Sequence, residues 1–307
     1  MAKRYYNLLL PFFILLFING HSQSLPLYSQ YMYNMTNINP AFAGNRGVPS
    51  LAFVWREQWA GLPGAPSTKS ITYDASNVEK HIGFGVQLYD DRYVNVFRRT
   101  GINFSYNLKF PVSDKGVISM GLKGGFYNDL KLLTEVNTGS FASSDIAYSS
   151  DFNKIIPLAG AGIFYNDDKF YVGLSAPDVI IFSNVSTYKS DSSLTQVNQI
   201  HYFLTAGYSF DLNEDVSIKP SVLFRSISGS PLEIDVNTNI WMKNLVGIGA
   251  SYRSSELFLA MAEIQITPQL RFGYSYDMPF KLPNSNELFL RIEIGKSFPN
   301  NKKYKIF

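Results

Sequence analysis

Leu232-Glu-Ile-Asp-Val-Asn-Thr-Asn-Ile240 carries an apolar or β-branched side chain at every second position, and Glu233, Asp235, Asn237 and Asn239 fill the places between. A period of two belongs to a strand with one apolar and one wet face. The segments that follow repeat it. Val246, Ile248, Ala250 and Tyr252 alternate with Gly247, Gly249, Ser251 and Arg253, and Phe272, Tyr274, Tyr276 and Met278 alternate with Arg271, Gly273, Ser275 and Asp277. Leu288, Leu290, Ile292 and Ile294 oppose Glu287, Arg291, Glu293 and Gly295, with Phe289 alone interrupting the polar row. Short turns at Met242–Asn244, Ser254–Ser255 and Thr267–Gln269 separate these segments, so successive strands pair antiparallel as a meander.

Alternation suits both a soluble sandwich, which hides the apolar face against a second sheet, and a transmembrane barrel, which shows it to lipid. Composition and an export signal decide for the barrel. Aromatic residues make up 15% of the chain, many of them Tyr near strand ends, and the wet faces carry Gly, Ser and charges. A mean hydropathy of -0.04 is too polar for a helical membrane protein but fits a wall that alternates lipid-facing and lumen-facing residues. Lys3 and Arg4 precede an apolar run from Leu8 to Ile18, and Gly20-His21-Ser22 supplies a small-x-small cleavage site, so residues 1–22 read as a secretory signal peptide. The run is short of the roughly 20 residues that span a bilayer as a helix. The absence of Cys removes disulfides and leaves no thiol for a lipid anchor. A net charge of only +3, with Lys and Arg scattered, gives no electrostatic footprint for nucleic acid.

No linker or charge block divides the mature chain, so the expected organisation is an irregular segment over 23–50, one barrel over 51–298 and a short tail over 299–307. Strands are expected at Leu51–Trp59, Ser67–Ser76, His81–Tyr89, Val96–Asn107 and Val117–Tyr127. A hairpin should pair Leu158–Tyr165 with Lys169–Ala176 across Asn166-Asp167-Asp168, and His201–Phe210 and Val216–Ser226 lead into the late meander. The total is about fourteen, an even number suited to an antiparallel outer-membrane barrel. The stretches Asn128–Ile156 and Pro177–Gln199 show no defensible period and read as long loops on the extracellular side.

Certain residues resemble a known family. Tyr28-Ser-Gln-Tyr-Met-Tyr-Asn, Asn39-Pro-Ala-Phe-Ala-Gly44, and Arg56-Glu-Gln-Trp59 leading to Gly61-Leu-Pro-Gly-Ala-Pro66 resemble the start of the PorP/SprF family of type IX secretion system membrane proteins of the Bacteroidetes. The resemblance continues through Gly83-Phe-Gly85, Tyr89-Asp-Asp91, Lys123-Gly-Gly125 and Arg271-Phe-Gly-Tyr-Ser-Tyr-Asp277. It implies a non-enzymatic outer-membrane barrel in the secretion and gliding machinery, whose partners are other components of that machinery, a periplasmic ring protein or a secreted surface adhesin. A diffusion porin or hydrophobic-substrate channel is the alternative. No cofactor is implied.

The residues themselves give little support to catalysis. His81 and His201 have no ligand-spaced partner, and no catalytic or metal site is assigned. Arg99, Lys123, Lys219, Arg225, Glu233, Asp235, Arg253, Glu263, Arg271, Asp277, Arg291 and Glu293 fall on the wet phase of their strands. A lining of this kind is either paired, giving a plugged barrel, or hydrated, giving a pore. The segment Tyr28–Gly47 is available as the filler. Its Asn39, Pro40, Gly44 and Arg46 either orient the first strand or help Tyr28, Tyr31, Tyr33 and Phe42 form a partner-binding aromatic surface at the periplasmic mouth. Arg56 and Trp59 are expected at the membrane interface.

Overall fold

The computed structural model describes residues 28–135, 150–181, 200–227 and 230–295. The expected signal peptide, the C-terminal tail and the middles of both expected long loops lie outside the described residues.

Short alternating segments joined by tight turns leave each strand one neighbour on either side. The described strands are β1 (Ser50–Glu57), β2 (Ser67–Asn77), β3 (Ile82–Tyr93), β4 (Phe97–Pro111), β5 (Val117–Lys131), β6 (Phe152–Asn166) and β7 (Phe170–Ile181). The second half adds β8 (His201–Tyr208, resuming as Phe210–Asp211 past Ser209), β9 (Val216–Ile227), β10 (Glu233–Met242), β11 (Val246–Arg253), β12 (Leu257–Gln265), β13 (Leu270–Pro279) and β14 (Ser285–Glu293). Every strand pairs antiparallel with its sequence neighbours, and β14 pairs with β1, Ser50 opposite Glu293. The ring is therefore a closed barrel of fourteen strands with no free edge. Ser209 steps out of the β8 ladder but keeps a bond on its other side, its N–H donating to the Lys169 carbonyl at 2.8 Å.

The alternation read from the sequence is the alternation of the wall. Along β10, Glu233, Asp235, Asn237 and Asn239 are buried inside, while Val236 and Ile240 face outward at 53% and 42% exposure. Phe84, Leu88, Phe104, Met120, Leu122, Ile248 and Phe258 likewise stand on the outer face. So large an apolar band has only lipid as a suitable solvent.

The chain differs from expectation in strand length. β5 runs on to Lys131, β6 begins at Phe152 and β7 ends at Ile181, so both expected long loops are shorter than their polar sequences suggest. Asn128, Asp129, Lys131, Asn153 and Lys154 there occupy strand positions toward the ends of the wall, where neither face needs to be greasy. One end of the barrel carries the tight turns after β2, β4, β6, β8, β10 and β12, and also both ends of the strand ring. The opposite end carries the connections 58–66, 132–151 and 182–200. Long connections on one side only place that side at the cell surface.

Candidate functional site

Residues 28–47 run inside the barrel. Asn, Pro, Gly and small side chains favour turns over any continuous helix, and the segment folds as three one-turn 3-10 helices, Tyr31–Tyr33, Met35–Asn37 and Pro40–Phe42. Asn39 caps the third, its side-chain oxygen accepting from the Ala41 N–H at 2.9 Å, and Pro40 follows at the first helical position with its fixed φ. Gly44 then turns the chain with φ +68°. A Cβ there would strike the Ala75 carbonyl, so both conformation and space require glycine.

The segment's apolar side chains are buried against the wall. Tyr31, Tyr33 and Phe42 are almost fully covered, and Tyr28 is nearly so. Phe42 meets Phe164 edge-on at 5.4 Å, Phe164 stacks on Tyr171 at 5.7 Å, and Tyr33 lies 5.9 Å from Phe289. This explains why Phe289 interrupts the polar phase of its strand: at that level the lumen holds an aromatic ring rather than water. The aromatic side chains therefore do not form an open surface at the periplasmic mouth, because each gains more by burial against the inner wall.

Buried inside the barrel, the segment's peptide groups need partners, and wall side chains, with Arg46 of the segment itself, supply them. Asn107 Nδ2 donates to the carbonyls of Ala41 and Ala43 at 2.7 and 3.0 Å, and Ser175 Oγ donates to the Ile38 carbonyl at 2.6 Å. Lys109 donates to the Gly44 carbonyl, and Arg46 and Arg291 both donate to that of Tyr33. Asp74 accepts from the Gly44 N–H at 3.2 Å and from Ser50 Oγ at 2.7 Å. Arg46 also sits over the Phe42 ring at 5.5 Å.

The leading end of the segment is held by a charged cluster. Glu287 accepts the backbone N–H groups of Ser29 and Gln30, each at 2.8 Å, and Ser29 Oγ donates to Asp277 at 2.7 Å. Arg56 joins the two carboxylates, 2.6 Å from Asp277 and 3.2 Å from Glu287. Two carboxylates this close repel unless a cation lies between them, and the guanidinium fork suits that place. Arg56 is thus a lumen residue and not an interface one. It shares the inward phase of β1 with Ala52 and Val54, and Trp55 takes the outward position. Trp59 lies beyond β1, half-buried, with its N–H on Ser285 Oγ at 3.1 Å. Arg56 faces Glu287 one pair from the end of the β1–β14 ladder. The described part of the segment therefore runs from near the long-connection end at Ser29 to the short-turn end at Gly47.

The other predicted wet-phase residues also lie inside. Arg225 pairs with Glu233 at 3.0 Å, Arg253 with Asp235 at 2.8 Å, and Lys123 with Asp178 at 3.1 Å. Arg99 reaches Asp129 at 3.7 Å, Arg271 reaches Glu263 at 3.9 Å, and Arg291 reaches Glu293 at 3.5 Å. Lys219 and Arg271 stand over the Trp241 ring at 5.7 and 4.5 Å. Asp74, Asn107, Lys109, Asp178 and Glu287 were missed as site residues. Asn107 and Glu287 fall on the wet phase in the sequence, so phase could have found them. A small cavity of about 20 Å³, lined by Met32, Tyr33, Tyr171, Lys219 and Ser221 among others, has room for one water. Among the described residues no three His, Asp or Glu side chains gather as a metal site.

A family described as "Type IX secretion system membrane protein PorP/SprF" matches residues 20–291. No curated protein matches the chain. Among solved structures, the chain is similar to "KdgM porin in complex with disordered oligogalacturonate", at 9% identity and a TM-score of 0.41, over 80% of this chain and 99% of that one. It is also similar to the outer membrane protein Omp33 of Acinetobacter baumannii, at 9% identity and a TM-score of 0.44, over 80% and 96% of the two chains.

Proposed function

Because the chain belongs to the PorP/SprF family of type IX secretion system membrane proteins, we propose that this outer-membrane barrel works as a closed anchoring component of the secretion and gliding machinery, coupling surface proteins or the periplasmic ring to the outer membrane. Members of the family are not enzymes. The observation that carries the anchoring reading is the filled lumen. A diffusion porin needs a hydrated path, whereas here Tyr31, Met35, Ala41 and Phe42 are packed against the inner wall, and Arg56, Arg225 and Arg253 are paired with carboxylates inside it. A rigid, filled barrel is suited to bearing load and to holding a partner at its rims.

Tyr28, Tyr31, Tyr33, Asn39, Pro40, Phe42, Gly44 and Arg46 serve this function by fixing the plug. Partner contact then belongs to the rims. Affinity purification from detergent-solubilised envelopes tests the reading. Recovery of other secretion or gliding components with the intact barrel supports it. Recovery of the barrel alone, together with a steady ionic current from the same preparation, would return the diffusion channel.

A further inference from the structure

On the outer face of β1–β4 the apolar band ends along a single line. Phe53, Ile71, Leu88 and Ile102 lie level with one another in the ladder, and the next outward row toward the long connections is Trp55, Lys69, Asp90 and Thr100. The row beyond it is Glu57, Ser67, Arg92 and Arg98. A row that mixes Trp with charged and hydroxyl side chains, followed by a wholly polar row, is the order expected where hydrocarbon gives way to headgroups.

Arg92 and Arg98 face each other directly across the β3–β4 pair. Like charges in that position repel. Asp90 relieves part of the repulsion: its carboxylate accepts from Arg92 Nε at 2.9 Å and from Arg98 Nε at 2.6 Å, and Thr100 Oγ1 donates to it at 2.7 Å. One carboxylate thus holds two guanidinium groups side by side, each engaged through Nε, with both arginines about half exposed. Lys69 adds a third cation beside them, resting 5.3 Å from the Trp55 ring. Glu57, the outward carboxylate of the same row on β1, is two strands away, about 10 Å by strand spacing.

We propose that Arg92 and Arg98, set by Asp90 and supported by Lys69, form a binding site for the phosphate of an anionic lipid headgroup in the outer leaflet. Two adjacent guanidinium forks match the geometry of a phosphate, and the phosphate supplies the second negative charge that Asp90 alone does not. The acyl chains of such a lipid would lie along Ile71, Leu88 and Ile102, directly below. The site is independent of the plug and of the anchoring function.

The test is native mass spectrometry of the full-length barrel in detergent with added bisphosphorylated lipid A, beside the same lipid stripped of its phosphates. The wild type should retain the phosphorylated lipid, and Arg92→Gln with Arg98→Gln should weaken retention at least tenfold. Arg92→Lys with Arg98→Lys, which keeps the charge but loses the forks, should fall between. Unchanged heat-modifiable migration verifies the fold of each variant. Equal retention by the Gln variant, or equal retention of the phosphate-free lipid, overturns the proposal. Full displacement of the lipid by millimolar inorganic phosphate also overturns it, by making the site one for a free anion.

Discussion

Arg56→Met removes the guanidinium that joins Asp277 and Glu287 in the lumen. The Arg56 side chain is 3% exposed and its two partners 1% and 0%, so water cannot compensate. Breaking a buried pair by deleting one member costs about 3–5 kcal/mol, because a buried charge is left without its partner. At 1.4 kcal/mol per decade, that is roughly a hundred-fold to several-thousand-fold in the folding equilibrium. The loss should start at the leading end of the plug, where Ser29 and Gln30 donate to these same carboxylates. Lys281→Met makes the control. Its bridge to Glu256 joins side chains 79% and 50% exposed, and such a pair contributes about 0–1 kcal/mol. Urea titration of the barrel in lipid vesicles, read by heat-modifiable migration, should show a clearly lower midpoint for Arg56→Met than for Lys281→Met. Adding Asp277→Asn and Glu287→Gln to Arg56→Met should recover much of the loss by removing the stranded charges. Equal midpoints for the two single variants would refute the clustered-charge account of the plug's hold.

A side chain at Gly83 would collide with the Ala43 carbonyl of the plug, so Gly83→Val should raise small-solute permeability while the barrel still inserts. Gly124→Ala, where an added Cβ meets nothing within 4 Å, should leave permeability unchanged in the same swelling assay. Val236→Arg on the lipid face should cost about 2–4 kcal/mol near the bilayer midplane, and lipid-partitioned reagents should label Cys at 236 but not at 237, which is buried inside. For orientation, Leu62→Cys in the connection after β1 should react with an impermeant thiol reagent on whole cells, whereas Asn213→Cys in a tight turn should react only after permeabilisation.

The wall was legible in the sequence because a barrel imposes one rule on every strand, and residues such as Val236 and Asn237 obey it locally. Phase also located charges such as Asp235 and Arg253 on the same side before any partner was known. What was not legible was the identity of each partner. Arg56 read as an interface residue because its strand, LAFVWREQW, is apolar on both phases at its start. Only the plug explains that pattern: Ala52 and Val54 face apolar atoms of the filler instead of water. The direction of the plug was hidden for a similar reason. Nothing in Tyr28–Gly47 states that Ser29 reaches Glu287, 258 positions away along the chain.

Residues 28–47 fill and close the lumen of the barrel. Planar-bilayer recording from the purified wild-type protein tests this closure most directly. The intact barrel should carry no steady open-pore current, and current should appear in Gly83→Val. A stable, ohmic current from the wild type would contradict the closure.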